Sequence, residues 1–172
     1  MTPRGFTILE ILVVVVIISL LTLIAIPSIG ILQARGQSAK CLSNLRQIGI
    51  ALQAYLADNN MEMPTLLAGR RSVEEVGPVL DDTLSSYTDN MSIFLCPADR
   101  TLGKQSGTSY YWNSALNGQR AGSLNFLQLV DALSRIPILS DKEGWHRFRD
   151  NKVNFLYADG HASTDLKLFT GD

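Results

Sequence analysis

Residues 1–35 read MTPRGFTILEILVVVVIISLLTLIAIPSIGILQAR. From Ile11 through Ala34 this stretch holds no charged residue. As a helix that run reaches roughly 36 Å, enough to cross a bilayer core of about 30 Å. A secretory signal peptide needs a shorter apolar stretch and a small-residue cleavage site near its end. Here the run is too long and no A-x-A follows it, so a membrane helix is predicted instead. Arg4 precedes the run and no Lys or Arg follows until Arg35. By the positive-inside rule the N-terminus is expected in the cytoplasm.

Glu10 is the informative residue of the stretch. A carboxylate in so apolar a setting costs on the order of 3 kcal/mol on insertion scales, so it needs a partner. No Lys, Arg or His lies anywhere from Phe6 to Ala34. A cut after Gly5 would create an α-amino group on Phe6, and that cation can neutralise Glu10 of a neighbouring copy. The competing reading is a plain signal anchor whose Glu10 sits at headgroup level.

The segment Arg4-Gly5-Phe6-Thr7-Ile8-Leu9-Glu10 resembles the processing motif of the prepilin family: a short basic leader ending in Gly, then Phe-Thr, two apolar residues and Glu. The resemblance implies cleavage between Gly5 and Phe6 by a prepilin peptidase, N-methylation of Phe6, and a register-setting role for Glu10 in assembly. It also implies a filament of this subunit and other pilin-like subunits, built at the inner membrane by secretion or pilus machinery. Pro27 stands where pilins typically carry a proline. Independently of family, a proline inside a helix removes one backbone hydrogen bond and kinks the chain.

Beyond Arg35 the pattern becomes amphipathic. Leu42, Leu45, Ile48, Leu52, Tyr55 and Leu56 recur at helical spacing, with Lys40, Asn44, Arg46, Gln47 and Gln53 on other faces. Asp58-Asn59-Asn60 followed by Pro64 reads as a stop. One helix from about Phe6 to Asp58 is predicted, its second half packed on downstream strands; a break at Gly30 or Gly36 is the alternative. The expected class is α+β and type IV pilin-like, a long N-terminal helix on a small antiparallel sheet. The expected divisions are a leader at 1–5, a membrane-spanning half-helix at 6–34 and an extracytoplasmic domain at 35–172.

Within that domain, a short helix is predicted over Val79–Tyr87 and a strand over Ser92–Cys96, ended by Pro97. An aromatic strand or turn is expected at Ser109–Trp112, a loop at Asn117-Gly118, and a helix over Leu124–Leu133 capped by Ser123. Ile136–Leu139 starts another strand, and Val153–Ala158 pairs with His161–Thr164 through an Asp159-Gly160 turn. Ala39–Gly49, Cys96-Pro97-Ala98-Asp99 and the Asp159-Gly160-His161 end are similar to the large prepilin-type group of planctomycetes and verrucomicrobia. That group carries a His ten residues before the Asp-Gly pair. This chain departs, with Arg149 there and His146 three residues upstream.

Charge is nearly balanced, Lys+Arg 15 against Asp+Glu 16, with no basic stripe that would mark a nucleic-acid partner. Two histidines, His146 and His161, match no zinc signature and are expected as surface or turn residues. Asp141, Asp150 and Asp159 are hard oxygen donors, so Asp141 and Asp159 are candidates for a structural calcium, as in major pseudopilins. No other cofactor is expected. The aromatics of Ser109–Trp112 and Trp145 read as core rather than as a ligand surface. Nothing pairs a nucleophile with a base, so the chain is not expected to be an enzyme.

Cys41 and Cys96 are the only cysteines. In an oxidising compartment with no competing thiol they are expected to pair; the alternative is two separately buried thiols. The expected function is a structural subunit of a type IV pilus or a type II secretion-like pseudopilus. The alternative is a monomeric membrane-tethered binding domain.

Overall fold

The computed structural model describes residues 6–127, 129–130 and 132–167, with 24–28 and 130 as backbone only. A single helix, α1 (Ile8–Asp58, 51 residues), is about 77 Å long. It runs unbroken past Gly30 and Gly36. Its start is fixed by a capping box: Glu10 N–H donates to Thr7 Oγ1, and Thr7 N–H donates to the Glu10 carboxylate. Its end falls at the predicted stop. Asn59 Nδ2 donates to Tyr55 O, and Asn60 and Met61 take positive φ, turning the chain away from the axis.

The second half of α1 is the spine of the domain. Leu45, Ile48, Leu52 and Leu56 are buried to 1% exposure or less, and Leu42 and Tyr55 pack at the edge. Burying such a side chain contributes about 1.5–3 kcal/mol. Asn44 departs from the expected polar face. It is buried, and its Nδ2 donates to Leu95 O, which turns a core cost into a tie between α1 and the chain after it.

Against this stripe lies a four-stranded antiparallel sheet in the order β1-β4-β5-β6, formed by Tyr110–Trp112, Pro137–Asp141, Phe155–Tyr157 and Ala162–Ser163. Leu156 meets α1 where a Cβ on Gly49 would approach its Cδ1 to 3.3 Å, so glycine lets helix and strand close together. The β5–β6 hairpin turns at Asp159-Gly160, with Gly160 at φ 88°. Two short helices follow in the domain, α2 (Leu80–Leu84), which packs on α1, and α3 (Leu102–Ser106).

Two sequence expectations are corrected. Ser92–Cys96 is no strand: Met91–Phe94 forms a 3-10 turn, with Ser92 N–H donating to Asn90 Oδ1. Ile93 and Phe94 are both buried on that turn. The helix expected over Leu124–Leu133 is instead a two-stranded hairpin, β2 (Asn125–Phe126) with β3 (Leu129–Val130). Leu127 has φ 51°, outside the helical region, and the Gln119 side chain bonds both N–H and C=O of Asn125.

The irregular segment after α1 is held by buried polar ties. Asn117 exchanges two hydrogen bonds with the Leu66 backbone and accepts from Trp112 Nε1. Arg70, nearly buried, donates to Asp81 at 2.6 Å, Asp82 at 2.8 Å and Ser106 O at 2.9 Å.

Candidate functional site

Gly5 lies outside the described residues. Beyond it, every residue from Phe6 to Leu23 is exposed, with Ile8 at 88%. This apolar stretch of α1 rises roughly 24 Å over sixteen residues, and none of the described residues covers it. Such a surface far exceeds the few hundred Å² a soluble monomer tolerates. Its two polar interior residues are satisfied within the helix: Ser19 Oγ donates to Val15 O at 2.7 Å and Thr22 Oγ1 to Ile18 O at 3.0 Å. Glu10 has no such relief beyond the capping box. Its carboxylate meets only Thr7, so within one chain its charge has no cationic partner among the described residues.

Backbone bounds carry α1 through position 27, while the Pro27 side chain lies outside the description. Among the described residues no helix is long and apolar enough to cross a membrane. The described side chains of the apolar run stop at Leu23 and resume at Ile29.

Cys41 and Cys96 form a disulfide with Cα atoms 5.0 Å apart, both sulfurs buried. It joins α1 to the segment leaving the 3-10 turn, beside the Asn44–Leu95 tie. Closing a loop of this length contributes about 4 kcal/mol in the chain-entropy model.

Behind the disulfide stands a polar cluster around His146, a residue expected at the surface or in a turn. His146 is 1% exposed, a correction to the expected turn residue. Its Nε2 lies 3.9 Å from Cys96 Sγ, 2.7 Å from Asn154 Nδ2 and 3.3 Å from Asp141 Oδ2. Burial pushes the Asp141 carboxyl above its ordinary range; the bonds from His146 and the Asn154 N–H pull it partly back. Arg149, at the position where the resembled group carries histidine, donates to Asn154 Oδ1 at 2.9 Å. The signal for this cluster lay in Asn154 and Asp141, polar residues at the ends of apolar strands that asked for partners.

Asp159 is remote from it. Tyr157 pairs with Pro137 at one end of β4, and Asp141 lies at the other end. Four strand residues span roughly 13 Å, so a single ion cannot take both carboxylates, and the paired calcium candidates separate. Asp159 instead bonds His161 Nδ1, and His161 stacks flat on Tyr157 with centroids 4.5 Å apart. Asp150 is exposed. Tyr110 and Trp112 are core, as expected, whereas Tyr111 faces solvent.

Residues 2–26 match the family model described as the prokaryotic N-terminal methylation motif. Over 96 residues the chain is 34% identical to the type II secretion system core protein G of Escherichia coli (strain K12). That alignment covers 56% of this chain and 65% of the relative. No solved structure matches the chain. The motif match falls on the exposed start of α1, and the similarity to a secretion-system core protein points the same way as the uncovered apolar surface.

Proposed function

We propose that this chain is a structural subunit of a type II secretion-like pseudopilus or type IV pilus, polymerised through α1. The carrying observation is the first part of that helix: an apolar cylinder within a methylation motif, bearing one carboxylate that has no cationic partner among the described residues. Before assembly, residues 6–34 rest in the inner membrane with residues 35–172 outside the cytoplasm. A prepilin peptidase removes Met1–Gly5 and the new Phe6 amine is methylated. In the filament the half-helices bundle, so that each apolar surface is covered by its neighbours and each Glu10 meets the Phe6 cation of another subunit. The membrane-spanning reading of the run rests on the sequence from Ile11 through Ala34, which is uncharged throughout.

Further supports are the similarity to the core protein G and a domain that ties its spine helix to the segment after the 3-10 turn by a disulfide and a buried hydrogen bond. The partners are the peptidase, like subunits and the assembly machinery. No catalytic step is assigned to the chain. Membership of the planctomycete and verrucomicrobial prepilin-type group is proposed on Ala39–Gly49, Cys96–Asp99 and the Asp159-Gly160-His161 end. Co-expression with a prepilin peptidase tests the reading: intact mass should show loss of Met1–Gly5. A chain that keeps Met1 in the presence of active peptidase would overturn it.

A further inference from the structure

A fully buried histidine stands against the disulfide, its Nε2 held among Asn154, Asp141 and Cys96. The thiol pair and that histidine have the makings of a metal site. Cys41 Sγ, Cys96 Sγ and His146 Nε2 lie within 4.8 Å of one another, all three side chains buried. We propose that when an external thiol or phosphine reductant opens the Cys41–Cys96 bond, supplying two electrons while the sulfurs take up two protons, these three atoms bind a borderline-soft divalent cation of the zinc type as the two thiols release those protons. The site is thus an alternative cross-link between the same two points of the fold.

The distances are close to those needed. Zinc holds thiolate sulfur at about 2.3 Å and imidazole nitrogen at about 2.0–2.1 Å, so tetrahedral neighbours S and N stand about 3.6 Å apart and two sulfurs about 3.8 Å apart. Cys96 Sγ and His146 Nε2 are already 3.9 Å apart. Reduction frees the sulfurs to separate, and Cα atoms 5.0 Å apart leave that range within reach of side-chain rotation. Three protein ligands leave the fourth corner open; Asp141 Oδ2, 3.3 Å from Nε2, stands beside that set and not within it. Its other oxygen, Oδ1, is buried with no hydrogen-bond partner.

The nitrogen is also held in place. Arg149 donates to Asn154 Oδ1, which fixes the amide so that Nδ2 faces His146. Nε2, between that amide and Asp141 Oδ2, is the ring nitrogen turned toward Cys96 Sγ. Two soft sulfurs with an imidazole favour zinc over the oxygen-seeking calcium.

Cobalt(II) is the probe, because tetrahedral thiolate coordination gives visible ligand-field bands and near-ultraviolet charge-transfer bands. The full chain in detergent, reduced with a phosphine, should take up one equivalent with both sets of bands, and zinc should displace it. The oxidised chain should show neither. Reduced His146→Ala should bind at least tenfold more weakly, and so should reduced Cys96→Ser, which removes one sulfur without emptying the histidine's space. Equimolar zinc should also raise the melting temperature of the reduced wild type, since a ligand that binds only the folded form stabilises it. Absence of bands in the reduced wild type, folded or not, overturns the proposal. Equal cobalt affinity in wild type and both variants overturns it as well.

Discussion

Thr7 and Glu10 close the first turn of α1 on each other: Glu10 N–H donates to Thr7 Oγ1 at 3.2 Å, and Thr7 N–H donates to Glu10 Oε2 at 3.3 Å. The residue that the filament reading assigns to subunit contact therefore also starts the helix. The two duties are separable, because a capping box accepts Gln in place of Glu, whereas a charge pair does not.

Removing the threonine tests the capping duty alone. Thr7→Ala leaves the Glu10 charge and deletes the acceptor for its N–H, a loss of about 1 kcal/mol. Amide exchange at Glu10 in detergent micelles should accelerate about fivefold, and exchange at Leu52 should be unchanged. Unaltered exchange at Glu10 would show that the turn is held by something else.

The disulfide carries a stability prediction. Cys96→Ser removes the loop constraint, worth about 4 kcal/mol at most, and leaves the Asn44–Leu95 tie in place. The melting temperature of the metal-free domain should fall by about 10 °C. Cleavage after Gly5 should be unaffected, because Cys96 lies in the folded domain far along the chain from that bond. A variant that melts with the wild type would show that the bond adds nothing to the packed core.

Asp81 gives a pH signature with a definite sign. Burial pushes its carboxyl above the ordinary range, and its backbone bond and Arg70 recover only part of that shift. The folded state therefore holds this proton more tightly than the unfolded one. Stability from the group is complete below about pH 4 and is lost as pH rises through the folded value. Asp81→Asn cannot titrate, so the difference in urea stability, wild type minus variant, should move toward the wild type between pH 7 and pH 4. Movement the other way would mean that Arg70 outweighs burial.

The parts of the fold that could be read in the sequence are those whose physics is local. The stripe from Leu45 to Leu56 repeats with the helix period, and the Asp159-Gly160 pair marks its own turn, so α1 and the β5–β6 hairpin were legible. Ser92–Cys96 misled because Ile93, Phe94 and Leu95 have strand propensity, while Asn90, two residues upstream, folds them into a 3-10 turn. Leu124, Leu127 and Val130 have helical spacing, yet Leu127 adopts positive φ and the chain reverses there. Asn44 and His146 are polar residues whose burial depends on partners distant in sequence: Leu95 for the first, Cys96 for the second. No local pattern announces such pairs. The processing motif was legible for the opposite reason, because its chemistry is confined to seven adjacent residues.

The central claim is that Glu10 acts as a charge between subunits. The direct measurement is the yield of sheared filaments from cells expressing Glu10→Gln beside the wild type. Glutamine preserves the capping box and eases membrane insertion, so the chain should still be inserted and cut after Gly5. With the counter-charge to Phe6 gone, the filament fraction should fall at least tenfold while the membrane-bound pool rises. Wild-type filament yield from Glu10→Gln would contradict the account, as would wild-type cells that process the chain and never place it in a filament.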